Sequence, residues 1–510
     1  MFSMICSAAL CGIKAEIIHV EVDVGEGLPL FLMVGYLSSQ VKEAQERVKT
    51  AMKNSGLRLA PRRITVNLSP ADIRKEGAGY DLPIAVAVLA SYGHIPRQAL
   101  QGILMAGELS LNGEICPVRG VLPMVRQAAA AGFRCCIVPK KNEKEGAVIK
   151  GIRVIGVSTL QEVISYLNGK HAIEPAAFCM EDMLAAGKGA KYDFREINGQ
   201  EAVKRAAEVA VSGMHNLLLI GPPGSGKSMT ARCIPGILPD LSLEESLEIS
   251  EIYSVAGLLQ EQEPLILQRP FRSPHHTVSA QALAGGGRYP RPGELSLAHR
   301  GVLFLDEMPE FRRETFEVLR QPMEDGQIQI SRVSGSITYP AKAMVVAAMN
   351  PCKCGYYPDL GRCSCTPGEI RHYLGKISQP LLDRIDVTIE APEVAYGQLT
   401  SGRRNESSEE IRKRVVKAHE IQRERYEGTS IHFNSELTAE GIRSCCPLGE
   451  KESRMMEEAY ERLGLSARGY YRILKVARTI ADLAGSRRIS CDHIAEAVCY
   501  RSIEKKFWDA

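Results

Sequence analysis

Residues Leu217–Pro239 read LLLIGPPGSGKSMTARCIPGILP. An apolar run stops at Gly221, a Gly/Pro turn follows, and Lys227-Ser228 opens a stretch that reads as a helix. The octet Gly221, Pro222, Pro223, Gly224, Ser225, Gly226, Lys227 and Ser228 fits the G-x-x-x-x-G-K-[ST] spacing of a phosphate-binding loop. The glycines let successive backbone N–H groups curl around an anion, and the helix that follows adds the positive end of its dipole. Lys227 is then expected to reach β- and γ-phosphates, and the Ser228 hydroxyl to bind Mg²⁺. An incidental glycine-rich turn would not need strand, lysine and hydroxyl together.

Four later stretches fit the same chemistry. GVLFLDEMPEF (301–311) reads as a buried strand with Asp306-Glu307 emerging at its end. Asp306 is expected to hold Mg²⁺, and Glu307 to polarise the attacking water. An acidic pair after a strand often marks only the strand end, but downstream of a phosphate loop it has chemistry to perform. KAMVVAAMNP (342–351) is another buried strand, ending in Asn350, whose amide could hold the lytic water. SQPLLDRIDV (378–387) supplies Arg384, a fixed charge suited to a phosphoryl transition state, with a salt bridge to Asp383 or Asp386 as the bland alternative. In LSARGYYRILKVARTIADLAG (465–485), Ser466 suits an N-cap. That places Arg468 in the first turn and Arg472 one turn later, either able to lean toward the phosphates.

A chain of 510 residues exceeds one hydrophobic core. We expect an N-terminal α/β domain over 1–170, a linker over 171–194, the nucleotide core over 195–395 and a mainly helical region over 396–510. The stretch QVKEAQERVKTAMKNSG is amphipathic and should end as a helix at Gly56, while GYDLPIAVAVLASYG reads as a buried helix with Pro83 near its first turn. A net charge of +3 leaves any nucleic-acid contact to a local basic surface. The first residues lack a basic n-region and read as a strand, and no apolar run reaches the ~18 residues of a membrane span. These features, and fifteen cysteines without the look of a disulfide framework, imply a cytoplasmic protein.

The order GPPGSGKS, FLDE, AAMN, LLDRID and an S-x-R helix resembles AAA+ ATPases of the magnesium-chelatase-like branch. More narrowly it resembles the ComM/YifB competence family, through RPFRSPHHTVSAQALAGGG, RPGELSLAHRGVLFLDEMPEF and RVKTAMKNSGLRLAPRRITVNLSPADIRKEGAGYDLPIAVAVLA. The resemblance covers nearly the whole chain. It implies an S5-like (Lon-protease-like) N-terminal domain, a P-loop AAA+ core and a C-terminal helical lid. It further implies ATP and Mg²⁺ as cofactors, Arg384 as a finger entering a neighbouring subunit, Arg468 as a lid sensor, and a ring, usually a hexamer. The family is linked to ATP-driven DNA branch migration during natural transformation. A chelatase-like ATPase that remodels a protein partner for metal insertion is the alternative.

Likeness to Lon raises a peptidase, which needs a serine and a lysine. KEGAGYD puts Gly79 at the serine position, and GELSLNGEICPVRGVLPMV puts Leu122 at the lysine position, so proteolysis is disfavoured. NPCKCGYYPDLGRCSC carries Cys352, Cys354, Cys363 and Cys365 as C-x-C-x₈-C-x-C. Four thiolates could close a structural Zn²⁺ site; four reduced cysteines in a surface loop is the other reading. EDGQIQISRVSGSITYPAK (324–342) reads as a hairpin about RVSG, with Arg332 as the candidate DNA-phosphate contact. His275 and His276 lie in a second insertion, read as a flexible loop rather than a metal site.

Overall fold

In a computed structural model the described residues are 1–180, 191–287, 290–332, 335–397 and 404–508, with the side chains of 332 and 335 outside the description. Residues 181–190 of the expected linker, and Arg332 as a side chain, therefore lie outside the described residues. The chain divides into two compact units. The first is Met1–Gly187 with Ser242–Leu267 and Ser331–Ile337, and the second is the remainder.

In the first unit, alternation of apolar and polar residues builds strands with one buried face. In Lys14–Gly25 the residues Ile18, Val20, Val22 and Val24 point inward. The strands are β1 (Phe2–Cys11), β2 (Lys14–Gly25), β3 (Leu30–Val34), β4 (Arg63–Ser69), β5 (Ile103–Met105), β6 (Cys135–Pro139) and β7 (Arg153–Val157). They form one mixed sheet in the order β3-β4-β2-β1-β5-β6-β7. The amphipathic helix spans Ser39–Asn54, capped by the Ser38 hydroxyl, and Gly56 follows at φ +79°. Asp81–Ser91 is a wholly buried helix. Its one charge, Asp81, is matched by Arg47 at 2.7 Å.

The segment Ser242–Leu267 departs from the expected continuous core over 195–395, because it clusters with the first unit. Its helix Leu243–Ala256 begins with a Ser242–Glu245 capping box. Glu251 pairs with Arg126 at 2.8 Å, and the Ser254 carbonyl accepts from Gly120 N–H at 3.1 Å. Nothing in the helix's own pattern announces those partners, which lie more than a hundred residues upstream.

The second unit is a parallel sheet of five strands: β8 (Leu217–Ile220), β9 (Phe271–Arg272), β10 (Val302–Leu305), β13 (Met344–Met349) and β14 (Val387–Glu390). In the chain between β10 and β13 lies the two-stranded pair β11 (Gln327–Arg332) and β12 (Gly335–Pro340), the expected hairpin. The sheet order is β9-β10-β13-β8-β14. LLLI, VLFL and MVVAAM are buried throughout, as strands covered on both faces must be. C-terminal helices Ser408–Arg425, Ala467–Leu483 and Cys491–Trp508 complete this unit. They are tied to the helix Glu201–Gly213 by Arg205–Glu496 at 2.9 Å and by the Gln422 amide on Ser212 O at 2.7 Å. The second unit is thus a parallel α/β sheet joined to a helical C-terminal region.

Candidate active site

The site grows from the carboxyl ends of β8, β10 and β13. Ile220 pairs with Met349, and Gly221 N–H donates to Met349 O at 3.2 Å, which brings Asn350 beside the loop. Gly224 and Gly226 adopt φ +78° and +81°, where a side chain is strained. A Cβ on Gly221 would overlap the Ala391 carbonyl. The loop closes on Lys227, the first residue of the helix Lys227–Cys233.

Lys227 Nζ donates to the carbonyls of Gly221 and Pro222, both at 2.8 Å, and to Asn350 Oδ1 at 3.2 Å. Burial pulls this ammonium down to about 8, and the Asp306 carboxylate opposes the shift. Ser228 Oγ donates to Asp306 Oδ2 at 2.7 Å, so hydroxyl and carboxylate converge on one point. This pair of hard oxygens fits Mg²⁺, which takes few protein ligands and completes its shell with water and phosphate. Glu307 is exposed and left-handed at φ 52°, a conformation a side chain seldom adopts without a local reason.

His276 supplies a contact that sequence reasoning missed. Its Nδ1 lies 3.5 Å from Glu307 Oε2, and its ring stands edge-on to Phe311. The insertion read as a flexible loop therefore touches the acidic pair, and only the register of β9 beside β10 brings it there. Neither His275 nor His276 belongs to a metal-ligand cluster among the described residues.

Arg384 and Arg468 stand elsewhere. Phosphate loop and Asn350 follow the carboxyl ends of β8 and β13, whereas Arg384 precedes the amino end of the parallel strand β14. Each of these strands rises about 3.3 Å per residue, so the two positions are separated by roughly 13 Å of sheet. Asn216 fixes this far edge: its amide donates to Arg384 O at 2.8 Å and its Oδ1 accepts from Val345 N–H at 2.9 Å. Arg384 is buried and pairs with Glu324 at 2.8 Å, not with Asp383 or Asp386. Its Nε donates to Arg320 O at 2.8 Å.

Arg468 reaches the same Glu324 at 3.7 Å, from a helix that the Ser466 hydroxyl caps at Gly469 N–H. Arg468 and Arg472, either of which was expected to lean toward the phosphates, both stand at this far edge within the chain. Their helix packs at the amino edge of the sheet, where Arg472 lies 3.7 Å from Asp386. Of the two arginines, Arg468 is exposed and Arg472 half-buried. Burial opposes ionisation of Asp386, but His215, 3.6 Å away, and the charges of Arg472 and Lys475 hold its carboxyl well below the usual range. Arg384, Arg468, Arg472 and Lys475 share the wall of a cleft of about 590 Å³ with Glu324 and Asp386.

The four cysteines do converge. Cys352 Sγ lies 3.3 Å from Cys354 Sγ and 3.7 Å from Cys363 Sγ, and all four sulfurs lie within 4.8 Å of one another. Thiolates about 2.3 Å from a tetrahedral ion stand about 3.8 Å apart, whereas a disulfide requires about 2.05 Å. Backbone N–H groups of Gly355 and Tyr357 donate to Cys352 Sγ at 3.2 and 3.4 Å. The donor set fits Zn²⁺.

In the first unit, Leu122 is fully buried and its N–H donates to Glu145 Oε1 at 3.0 Å. Glu145 also accepts from Asn142 at 2.9 Å and from the Ser254 hydroxyl at 2.5 Å. The start of the helix Val121–Ala130 is a carboxylate-capped, packed structure built around an apolar side chain.

A five-stranded parallel sheet ending in this loop, with an acidic strand end and an asparagine beside it, defines a P-loop protein of the AAA+ class. Family models agree. Magnesium chelatase, subunit ChlI, matches residues 193–399; subunit ChlI of Mg-chelatase matches 20–142; and the ChlI C-terminal model matches 405–501. YifB of Salmonella typhimurium is 44% identical over 505 residues, covering 99% of this chain and 97% of its own. The competence protein ComM of Haemophilus influenzae is 41% identical over 505 residues, covering 98% and 97%. Lon protease 2 of Bacillus subtilis is 30% identical over 146 residues, 28% of this chain and 26% of that protein. The chain belongs to the magnesium-chelatase-like YifB/ComM family, with a Lon-like N-terminal region.

Proposed function

We propose that the chain is an ATPase that works as a closed ring and moves DNA, in the manner of a branch-migration helicase. The observation that carries the ring is the separation of its charged groups. Phosphate loop, Asp306, Glu307 and Asn350 gather at one edge of the sheet, and Arg384 with Arg468 at the other. A site whose two arginines stand at the far edge of its own sheet is completed when a second copy presents that edge. Six copies follow from likeness to the family.

Within the completed site, the loop N–H groups and Lys227 bind the triphosphate. Ser228 and Asp306 would hold Mg²⁺, which neutralises charge on the phosphates. Glu307 takes a proton from the attacking water, Asn350 orients that water, and the neighbour's Arg384 and Arg468 offset charge on the phosphoryl oxygens. The four thiolates beside Asn350 would hold a structural Zn²⁺; four sulfur ligands leave no position for substrate. Gly79 and Leu122 offer neither nucleophile nor base, so a peptidase is disfavoured.

DNA as the cargo rests on the competence protein among the relatives and on the β11–β12 hairpin, where Arg332 remains the candidate contact. ATP turnover with and without forked or four-way DNA tests it. Stimulation by DNA that falls steeply with added salt is expected, because phosphate contacts release counterions. Turnover indifferent to every DNA, but raised by a protein partner, would replace this reading with chelatase-like remodelling.

A further inference from the structure

We propose that the Cys352–Cys365 loop, with Zn²⁺ bound, is a brace for the phosphate-binding loop, so that metal occupancy sets nucleotide affinity. The inference rests on the reading of Gly221–Ser228 as an ATP site.

Two contacts and one short chain connection tie the loop to the site. Gly355, at φ +92°, lies so close to Pro223 that a Cβ there would stand 2.9 Å from Pro223 Cγ and nearer still to Cδ. The backbone of the cysteine loop is therefore packed directly against the outer wall of the phosphate loop. Cys352, fully buried, follows two residues after Asn350, whose Oδ1 holds Lys227. Arg362 makes a two-pronged pair with Glu393 at 2.8 and 2.9 Å. Glu393 follows Ala391, whose carbonyl abuts Gly221. The cysteine loop thus reaches both flanks of the turn that must keep its N–H groups aimed at phosphate.

A phosphate loop of glycines and prolines has little side-chain packing of its own to hold that aim. The loop pressing on it contains no strand and no helix between Cys352 and Cys365. A single ion linking four sulfurs would give it a fixed shape.

The test uses the purified full-length chain. Elemental analysis is expected to find about one zinc per chain. A Cys363→Ser/Cys365→Ser variant should lose it, and its dissociation constant for a methylanthraniloyl-labelled, non-hydrolysable ATP analogue should rise about tenfold or more. Gly355→Val, which keeps all four cysteines, should retain zinc yet show a similar loss, and it decides the matter if the serine variant does not fold. Folded wild-type protein free of zinc overturns the metal site. Unchanged analogue affinity in a folded, zinc-free serine variant or in Gly355→Val overturns the brace alone. Zinc-loaded wild type that binds no analogue overturns the nucleotide reading and the brace with it.

Discussion

Lys227 shows how a single residue carries both cost and function. It sits in a loop that buries its ammonium, and burial favours the neutral amine, lowering its value to about 8 against 10.5 in the free side chain. Between those values the unfolded chain holds a proton that the folded chain has released, so this group contributes to stability as pH rises from about 8 to 10.5 and costs stability below. A triphosphate against the amine reverses the preference and restores its charge. Nucleotide binding at pH 9 should therefore take up close to one proton per site, and at pH 6.5 almost none. Calorimetry in two buffers of different ionisation enthalpy measures this, and equal enthalpies at pH 9 would refute it. In the proposed mechanism Glu307 acts on the water rather than on the phosphates. Glu307→Gln should keep ATP bound while turnover falls about 10²-fold or more, the scale of a lost general base. Rapid filtration of labelled ATP against phosphate release reads both quantities at once.

At the scale of the element, position comes from strands rather than from the loops they carry. β8 lies between β13 and β14, and each of its four residues is buried. Leu219, fully buried in the core two residues before Gly221, therefore helps to fix where the phosphate loop begins. Leu219→Ala should cost about 2–5 kcal/mol, from lost transfer energy and the cavity left behind. Because ATP binds only the folded unit, the melting transition belonging to it is the one that nucleotide raises. That transition should fall in the variant while any other stays in place. Much at this scale is legible in the sequence. The apolar runs before GPPGSGKS, Asp306-Glu307 and Asn350 read as buried strands and are buried strands, since a strand covered on both faces has no polar alternation. The helix at Leu243–Ala256 shows the limit, because its cap is local but its partners Arg126 and Glu145 are not.

For the whole molecule, the proposed ring rests on the phosphate loop and the Arg384–Arg468 pair standing at opposite edges of one sheet. Mixing inactive Lys227→Ala chains with inactive Arg384→Ala chains should restore turnover, because an intact phosphate loop from one then meets an intact arginine from the other. Recovery should pass through a maximum with mixing ratio; no recovery at any ratio, with both variants folded and assembled, would place Arg384 outside the reaction. Specific activity of the wild type should also rise with protein concentration until rings are complete.

The linear chain by itself determined the phosphate loop, the acidic strand end, the asparagine and the four cysteines, because each is a short-range pattern whose spacing is set by covalent geometry. Tertiary structure alone decided three things. It placed Arg468 with Arg384 at Glu324, set His276 beside Glu307, and attached Ser242–Leu267 to the first unit. These depend on which strands lie side by side and on which end of a sheet a residue stands. Both follow from the pooled burial of residues far apart in sequence, a quantity that no local window contains.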